Sequence, residues 1–200
     1  MHVLTVIDHH NNVSFTHAVA AQFNAGVAHE GHSFEVADLH AEGFNPVWQA
    51  ADTAQFEDQP MPPDIIAEQT RIARCDAKCL AFPLWWWGMP SMLKGWIDRV
   101  FSWNWAYNQT ENSDPSLSLL KTRPCVLLVP AGASSEPTIE GGYQAAMLKL
   151  WQPGTLDYFG LKAQTHFLYG SEGKPARRAA HLKLAFEIGK GLTGQPPDAR

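Results

Sequence analysis

The chain has 200 residues, a formal net charge of −5 at pH 7 and a hydrophobic content of 45%. This length and composition are typical of one globular domain with a sizeable core. No cluster of Lys and Arg resembles a nucleic-acid-binding surface, and no apolar run approaches the ~20 residues that span a bilayer. We therefore expect no nucleic-acid partner and no transmembrane segment.

The three cysteines are Cys75, Cys79 and Cys125. Their odd number and their spacing argue against a disulfide framework and against a zinc site. The adjacent His9 and His10 have no obvious third ligand nearby in the sequence, so we expect no metal site. The N-terminus lacks the pattern of a secretory signal, and we expect a cytoplasmic protein with reduced thiols.

The first predicted strand is His2–Ile7, followed by a polar loop and a helix from about Thr16. The helix is indicated by apolar residues at a spacing of four, from Phe15 to Val27. Free N–H groups and the helix dipole favour an anion at such a helix start, where His9 adds a donor. Ser14 and Thr16 could hold a phosphate, and the alternative is that both are no more than helix caps.

The glycine fingerprint of dinucleotide-binding folds and the Walker motif are both absent, which excludes Rossmann and P-loop proteins. The second predicted strand is Ser33–Ala37. Residues 38–60 show no clear periodicity, and a stretch of this length typically indicates a functional loop. The next helix is predicted from Asp64, as its cap, to Arg74.

The most informative stretch is residues 79–101. A buried strand is predicted over Ala77–Phe82, a turn over Pro83–Pro90, and a helix from Pro90 to Phe101. The turn contains three consecutive tryptophans. In open α/β folds a loop after a parallel strand lies at the carboxyl edge, where ligands bind, so the indoles could form a floor for a flat aromatic ligand. Packing in the core or at a subunit interface is the alternative.

Two more strands and two more helices complete the chain. A loop rich in small residues, 130–143, lets the backbone approach a ligand closely. The strands are predicted over Cys125–Val129 and Leu161–Leu168, and the helices over Tyr143–Leu150 and Pro175–Leu192.

Strands and helices alternate along the chain. This order predicts a flavodoxin-like α/β three-layer sandwich, with a five-stranded parallel sheet in the order 2-1-3-4-5. We expect residues 1–193 to form one domain and residues 194–200 to form a disordered tail. The loops after strands 1, 3 and 4 then share one edge. A flat ring with an anionic tail describes a flavin nucleotide.

Several segments resemble the NAD(P)H:quinone oxidoreductases of the flavodoxin-like superfamily. The resemblance runs from about Val3 to Tyr169. Its longest part is Phe-Pro-Leu-Trp-Trp-Trp-Gly-Met-Pro at 82–90 with Leu-Lys-Gly-Trp-Ile-Asp-Arg-Val-Phe at 93–101, and the segment 63–69, the Ser14-Phe15 loop and Asn45-Pro46 add to it. The resemblance implies a homodimer with flavin sites at the interface, usually of FAD, with FMN as the alternative.

The resemblance also implies site residues. The phosphate and ribityl chain would be held by His9, Ser14, Phe15 and Thr16. The isoalloxazine would be lined by Pro83, Leu84, Trp85, Trp86 and Trp87, and its pyrimidine edge approached by Gly132 and Ala133. Trp86, Trp87 and Tyr107 would be catalytic, with Tyr107 reaching into a substrate pocket of its own or of the partner subunit.

Some positions depart from the pattern of the family. Thr138 and Gln144 occupy the places of a tyrosine and a histidine thought to stabilise charge near the flavin, and Trp85 replaces a frequent glutamine.

Two functions follow. One is ping-pong hydride transfer from NAD(P)H to a quinone or related aromatic acceptor. The alternative is a weakly catalytic or non-catalytic flavin-binding regulatory subunit or electron carrier.

Overall fold

The computed structural model describes residues 1–57, 59–108 and 119–193. Five parallel strands form one sheet in the order β2-β1-β3-β4-β5, which confirms the predicted flavodoxin-like topology. The strands are β1 (His2–Ile7), β2 (Ser33–Asp38), β3 (Ala77–Ala81), β4 (Arg123–Ala131) and β5 (Leu161–Tyr169). The predicted tail, 194–200, lies outside the described residues.

In the described part of the chain, six α-helices accompany the sheet and cover both of its faces. They are α1 (Phe15–His29), α2 (Pro63–Arg74), α3 (Ser91–Val100), α4 (Ser135–Glu140), α5 (Tyr143–Trp151) and α6 (Pro175–Lys190). One core layer joins the sheet to α1 and α6, through Phe23 and Ala185 among others. The second layer joins the opposite face to α2, α3 and α5, through Ile65, Trp96 and Met147.

Strand β4 extends beyond both predicted ends, Cys125 and Val129, and so includes Pro124 and Pro130. The sequence pattern stops the strand at these prolines, which cannot donate to a ladder. In the structure β4 pairs with β5 over all nine of its residues, whereas it pairs with β3 only over Cys125–Leu128. Both prolines lie outside those four pairs, so the ladder between β3 and β4 does not need their missing N–H groups.

The segment 38–60 is not irregular throughout, since Ala50–Phe56 forms a 3-10 helix. Its anchor is Arg99 on α3, which is only 2% exposed. The Arg99 guanidinium binds the buried Asp52 carboxylate at 2.8 and 3.1 Å and donates to the Asn45 carbonyl at 2.6 Å. Asp64 was predicted to cap α2, but it lies inside the first turn and pairs with Arg99 at 2.9 Å.

Helices α1 and α6 approach each other closely. A Cβ atom at Gly26 would clash with the Phe186 carbonyl, and one at Gly189 would clash with the Phe23 carbonyl. Only glycine allows this contact between backbones. The crossing brings the start of α6 beside the start of α1, where the Arg178 guanidinium carbon lies 4.5 Å from the centre of the Phe15 ring.

Candidate active site

The loop between β1 and α1 is organised by short-range hydrogen bonds. The Asn11 N–H donates to His9 Nδ1 at 3.0 Å, and the Asn11 side-chain oxygen accepts from the Val13 N–H at 3.0 Å. Because His9 Nδ1 accepts a backbone proton, the neutral ring carries its own proton on Nε2. Burial, followed by the neighbouring His10 and His17, lowers the pKa of His9, which keeps the ring neutral at pH 7.

Ser14 is the N-cap of α1, and its Oγ accepts the His17 N–H at 3.3 Å. The hydroxyl also lies 2.8 Å from His17 Nδ1, and His17 Nε2 lies 2.9 Å from the Asp38 carboxylate. Burial acts to raise the pKa of Asp38, but the hydrogen bonds from His17 and from backbone N–H groups outweigh it and leave the pKa lowered. Asp38 thus orients His17, and His17 orients the Ser14 hydroxyl.

The tryptophan turn has a strained backbone. The Gly88 N–H donates to the Trp85 carbonyl at 3.0 Å, and φ is +50° at Trp86 and +59° at Trp87. Positive φ at both central residues is the pattern of a type I′ turn, which normally favours Asn and Gly. The left-handed region costs a non-glycine residue about 1–2 kcal/mol. Strain of this kind is concentrated at functional sites.

This turn holds the three indoles in different environments. Trp86 is 96% exposed, while Trp85 and Trp87 are 44% and 37% exposed. The Trp87 ring stacks on Tyr143 with centroids 4.7 Å apart and planes 14° apart, whereas Trp85 lies about 6 Å from the His9 and His10 rings. None of the three belongs to the sheet core, so core packing does not explain them.

Two cavities adjoin at Leu84, at the carboxyl edge of the sheet. The Ser14 cavity, of about 330 Å³, and the Trp87 cavity, of about 140 Å³, both have Leu84 in their walls. Eight of the eleven predicted cofactor-binding residues line the Ser14 cavity: His9, Ser14, Phe15, Thr16, Pro83, Leu84, Trp85 and Gly132. The other three, Trp86, Trp87 and Ala133, line the Trp87 cavity.

The Ser14 cavity also contains residues that sequence reasoning did not place there, among them Asn11, Pro130, Ser171 and Glu172. Glu172 follows β5, so it lies at the same carboxyl edge as the other loops. A Cβ atom at Gly132 would lie 3.1 Å from the Glu172 carboxyl carbon, and glycine keeps this side of the cavity open. Arg178, near the start of α6, also lines the cavity.

Tyr107 does not line either cavity. It packs against Trp103, Tyr158 and Phe159 with ring centroids 5.5–6.0 Å apart. Burial raises its pKa above the usual value, so the phenol stays protonated at neutral pH. Within one chain the structure does not bring Tyr107 to the tryptophan turn.

The residues at the positions of the family tyrosine and histidine are engaged within the chain. The Thr138 hydroxyl is buried and donates to the Ser134 carbonyl at 2.8 Å. The Gln144 side-chain oxygen accepts from the Tyr169 hydroxyl at 2.7 Å. Neither side chain lines the two cavities, whereas the neighbouring Tyr143 covers Trp87.

Comparisons with known proteins show the family to which the chain belongs. A family model described as flavodoxin-like fold matches residues 1–187. An uncharacterized NAD(P)H oxidoreductase of Haemophilus influenzae is 30% identical over 171 residues, covering 85% of this chain and 84% of that protein. The solved NAD(P)H:quinone oxidoreductase of Methanothermobacter marburgensis superposes with a TM-score of 0.85 at 30% identity, over 96% and 99% of the two chains. The chain belongs to the NAD(P)H:quinone oxidoreductase family.

Further relatives of this family cover most of the chain. NAD(P)H dehydrogenase [quinone] 1 of Cavia porcellus is 27% identical and matches 84% of this chain and 68% of its own. A putative quinone reductase from Klebsiella pneumoniae superposes with a TM-score of 0.82 at 26% identity, over 94% and 83% of the two chains.

Among residues 1–57, 59–108 and 119–193, no helix is long and apolar enough to cross a membrane, and no three acidic, His or Cys side chains are grouped to hold a metal.

Proposed function

We propose that this protein is a flavin-dependent NAD(P)H oxidoreductase that reduces quinones or related aromatic acceptors. The observation that carries the proposal is the meeting of three elements at Leu84: the capped start of α1, the strained tryptophan turn and the Gly132 loop. When bound, a flavin relays hydride between a nicotinamide and an acceptor, and the protein supplies binding and orientation. The family relatives described above support the same reaction class.

The residues of the site fit a flavin on the evidence of their chemistry. The first turn of α1 contains no acidic residue, so the free N–H groups at the start of this helix would favour a phosphate. The neutral His9 ring has a proton on Nε2 to donate, and the His17–Asp38 pair orients the Ser14 hydroxyl beside it. Exposed indoles supply flat surfaces for a ring, so Ser14, Thr16 and Trp85 to Trp87 are the binding residues that we propose.

Arg178 favours FAD over FMN as the cofactor. The Ser14 cavity extends beyond the start of α1 to the beginning of α6, where the Arg178 guanidinium stacks on Phe15. A guanidinium at this place would bind a second phosphate, which FAD has and FMN lacks. Mass spectrometry of the cofactor released by heating identifies it directly, and a preparation that stays colourless after incubation with either flavin would overturn the proposed function.

Ping-pong turnover follows if NAD(P)H and the acceptor use one open face in succession. In this proposal that face is the side of the flavin ring turned away from the indoles of Trp85 to Trp87. Initial rates at varied concentrations of both substrates test this point: parallel double-reciprocal lines are expected, and intersecting lines would contradict it.

For the cellular location we propose the cytoplasm, because Cys75, Cys79 and Cys125 are all free and buried.

A homodimer would complete the site. The exposed Trp86 and Tyr143 adjoin the Trp87 cavity, and Ile139 and Leu150 add exposed apolar surface on α4 and α5. Tyr107 would then serve the site of the partner subunit, since it lies away from the cavities of its own chain. Sedimentation equilibrium is expected to give twice the mass of one chain, and a monomer with a tightly bound flavin would contradict this arrangement.

A regulatory flavoprotein or electron carrier is the second candidate. Thr138 and Gln144 are hydrogen-bonded within the chain and stand where the resemblance to the family implies a tyrosine and a histidine. Stopped-flow mixing of the flavin-loaded protein with NADPH and with NADH separates the two functions. Loss of the visible flavin absorbance within seconds supports the enzyme, and an unchanged spectrum supports the regulator.

A further inference from the structure

A separate cavity of about 260 Å³ lies at the opposite edge of the sheet, where β3 and β4 begin. It shares no residue with the Ser14 or Trp87 cavities. Its lining combines apolar side chains, among them Ile72, Leu120 and Leu161, with the cationic side chains of Lys78, Lys121 and Arg123.

Lys78 is the unusual member of this cavity. It lies in a central strand and is only 1% exposed, although lysine is almost never fully buried without a partner. Burial is the main cause that lowers its pKa to about 8, and the Arg123 guanidinium acts in the same direction. The amine is still mostly protonated at pH 7. Within the described ranges no ion pair joins its Nζ atom to a carboxylate, and the titratable groups that act on it are Cys125, Arg123, Cys75 and Asp76.

The acidic groups around Lys78 do not provide its counter-ion. The buried Cys125 thiol pairs with Lys78 in the sheet register, but burial raises its pKa to about 12, so it is neutral. Burial likewise raises the pKa of Cys75, whose Sγ donates to a carbonyl of α2. The Asp76 carboxylate is turned to the surface, where it accepts the His2 N–H at 2.8 Å and lies 3.5 Å from Arg123.

We propose that this cavity binds a small carboxylate with an apolar body. The carboxylate would lie between the Lys78 ammonium and the Arg123 guanidinium, and the hydrocarbon would lie against Ile72 and Leu161. Two neighbouring cations without an anion between them repel each other, and a buried charge without a partner is costly. A bound carboxylate relieves both effects, whereas a neutral ligand relieves neither and an inorganic anion leaves the apolar side chains of the cavity uncovered.

Calorimetric titration of the full-length, flavin-loaded protein with sodium hexanoate tests this site. One molecule per chain is expected to bind, and Lys78→Met should weaken binding about tenfold through loss of a charge-assisted hydrogen bond. Lys149→Met, which removes an exposed lysine of α5, is the matched control and should leave binding unchanged. Hexanol should bind far more weakly than hexanoate. Absence of hexanoate binding, or equal binding to the Lys78→Met variant, would overturn the proposal.

Proton uptake provides a second measurement that needs no variant. Because a bound carboxylate raises the pKa of Lys78, hexanoate binding at pH about 8.5 should be accompanied by uptake of part of a proton. Titration in two buffers of different ionisation enthalpy measures this uptake. Binding without proton uptake at this pH would place the carboxylate elsewhere and would contradict a site at Lys78. Neither measurement depends on electron transfer at the Ser14 cavity.

Discussion

The Asp8 carboxylate, at the end of β1, accepts the Leu93 backbone N–H from the first turn of α3 at 2.7 Å. Its other oxygen lies 2.9 Å from His40 Nε2, and the side chain is fully buried. The bond spans 85 positions in the sequence and joins the segments on either side of the candidate flavin site. Asp8 therefore fixes the position of the tryptophan turn relative to the start of α1.

Replacement of Asp8 should loosen both loops. Asp8→Ala leaves the Leu93 N–H and His40 without their partner, and a hydrogen bond to a buried charged group contributes about 1.5–3 kcal/mol. We expect a loss of about 2 kcal/mol in the free energy of unfolding and weaker flavin binding. Urea unfolding and flavin titration measure the two effects. The control is Asp98→Ala, because Asp98 pairs with Lys94 at the exposed surface. An equal loss in both variants would contradict this role.

The strain at Trp86 can be separated from the function of its indole. Trp86→Ala removes the ring but keeps a side chain at φ +50°, whereas Trp86→Gly removes both ring and strain. The Gly variant should be about 1 kcal/mol more stable than the Ala variant. Both should bind flavin about fivefold more weakly, since a lost aromatic contact costs about 0.5–1.5 kcal/mol. Unchanged flavin affinity in both variants would show that this indole does not contact the ring.

Arg178 and Arg177 form a matched pair for the choice of cofactor. Arg178→Gln should lower FAD affinity by about tenfold and FMN affinity much less, because only FAD has the second phosphate. Arg177→Gln should change neither, because Arg177 does not line the Ser14 cavity. Fluorescence titration of the flavin-free protein with each flavin gives the four affinities. Equal losses of FAD and FMN affinity in Arg178→Gln would remove the argument for FAD.

The two carboxylates bound to Arg99 should differ sharply in their importance. Asp52 is fully buried, whereas the Asp64 side chain is 49% exposed. Asp52→Ala leaves a buried guanidinium without its main partner, which typically costs about 3–5 kcal/mol. Asp64→Ala should cost less than about 1 kcal/mol, as exposed ion pairs do. Urea unfolding compares the two variants, and similar losses would show that Asp52 is not the principal anchor of residues 38–60.

Lys78 should make the stability of the protein depend on pH in the alkaline range. Its pKa falls from 10.5 in the unfolded chain to about 8 in the fold, a difference worth about 3 kcal/mol. Between these values the unfolded chain binds more protons, so stability rises with pH from about 8 to about 10.5.

Lys78→Met should therefore be more stable than the wild type by about 3 kcal/mol at pH 7, and the difference should disappear above pH about 10.5. Thermal unfolding across this range measures both curves. The other titratable groups around the site, Cys75, Asp76, Arg123 and Cys125, are unchanged in the variant, so the difference between the two curves reports on Lys78. A difference that is constant with pH would mean that the lysine keeps its ordinary pKa in the fold.

Most of the fold is determined by local sequence pattern. Short apolar runs and residues at a spacing of four indicate which segments become strands and helices, and their alternation predicts one parallel sheet covered on both faces. The order 2-1-3-4-5 is that of the flavodoxin-like fold. The same order places the loops after β1, β3 and β4 at one edge, so the phosphate loop and the tryptophan turn could be predicted to meet. The long motif of residues 82–101 indicated the family through its resemblance to the NAD(P)H:quinone oxidoreductases.

The tertiary structure decided the features that depend on contacts distant in sequence. Pro130 is inside β4 because β3 ends before it, and the strained φ angles fall on Trp86 and Trp87 rather than on Gly88. Arg178 reaches the Ser14 cavity only because α6 crosses α1 at glycines. Local sequence preferences do not predict such contacts, because each contact depends on the position of a segment that is distant in the sequence. Lys78 is the clearest case: the sequence shows one lysine in an apolar run, and the packed sheet buries its charge.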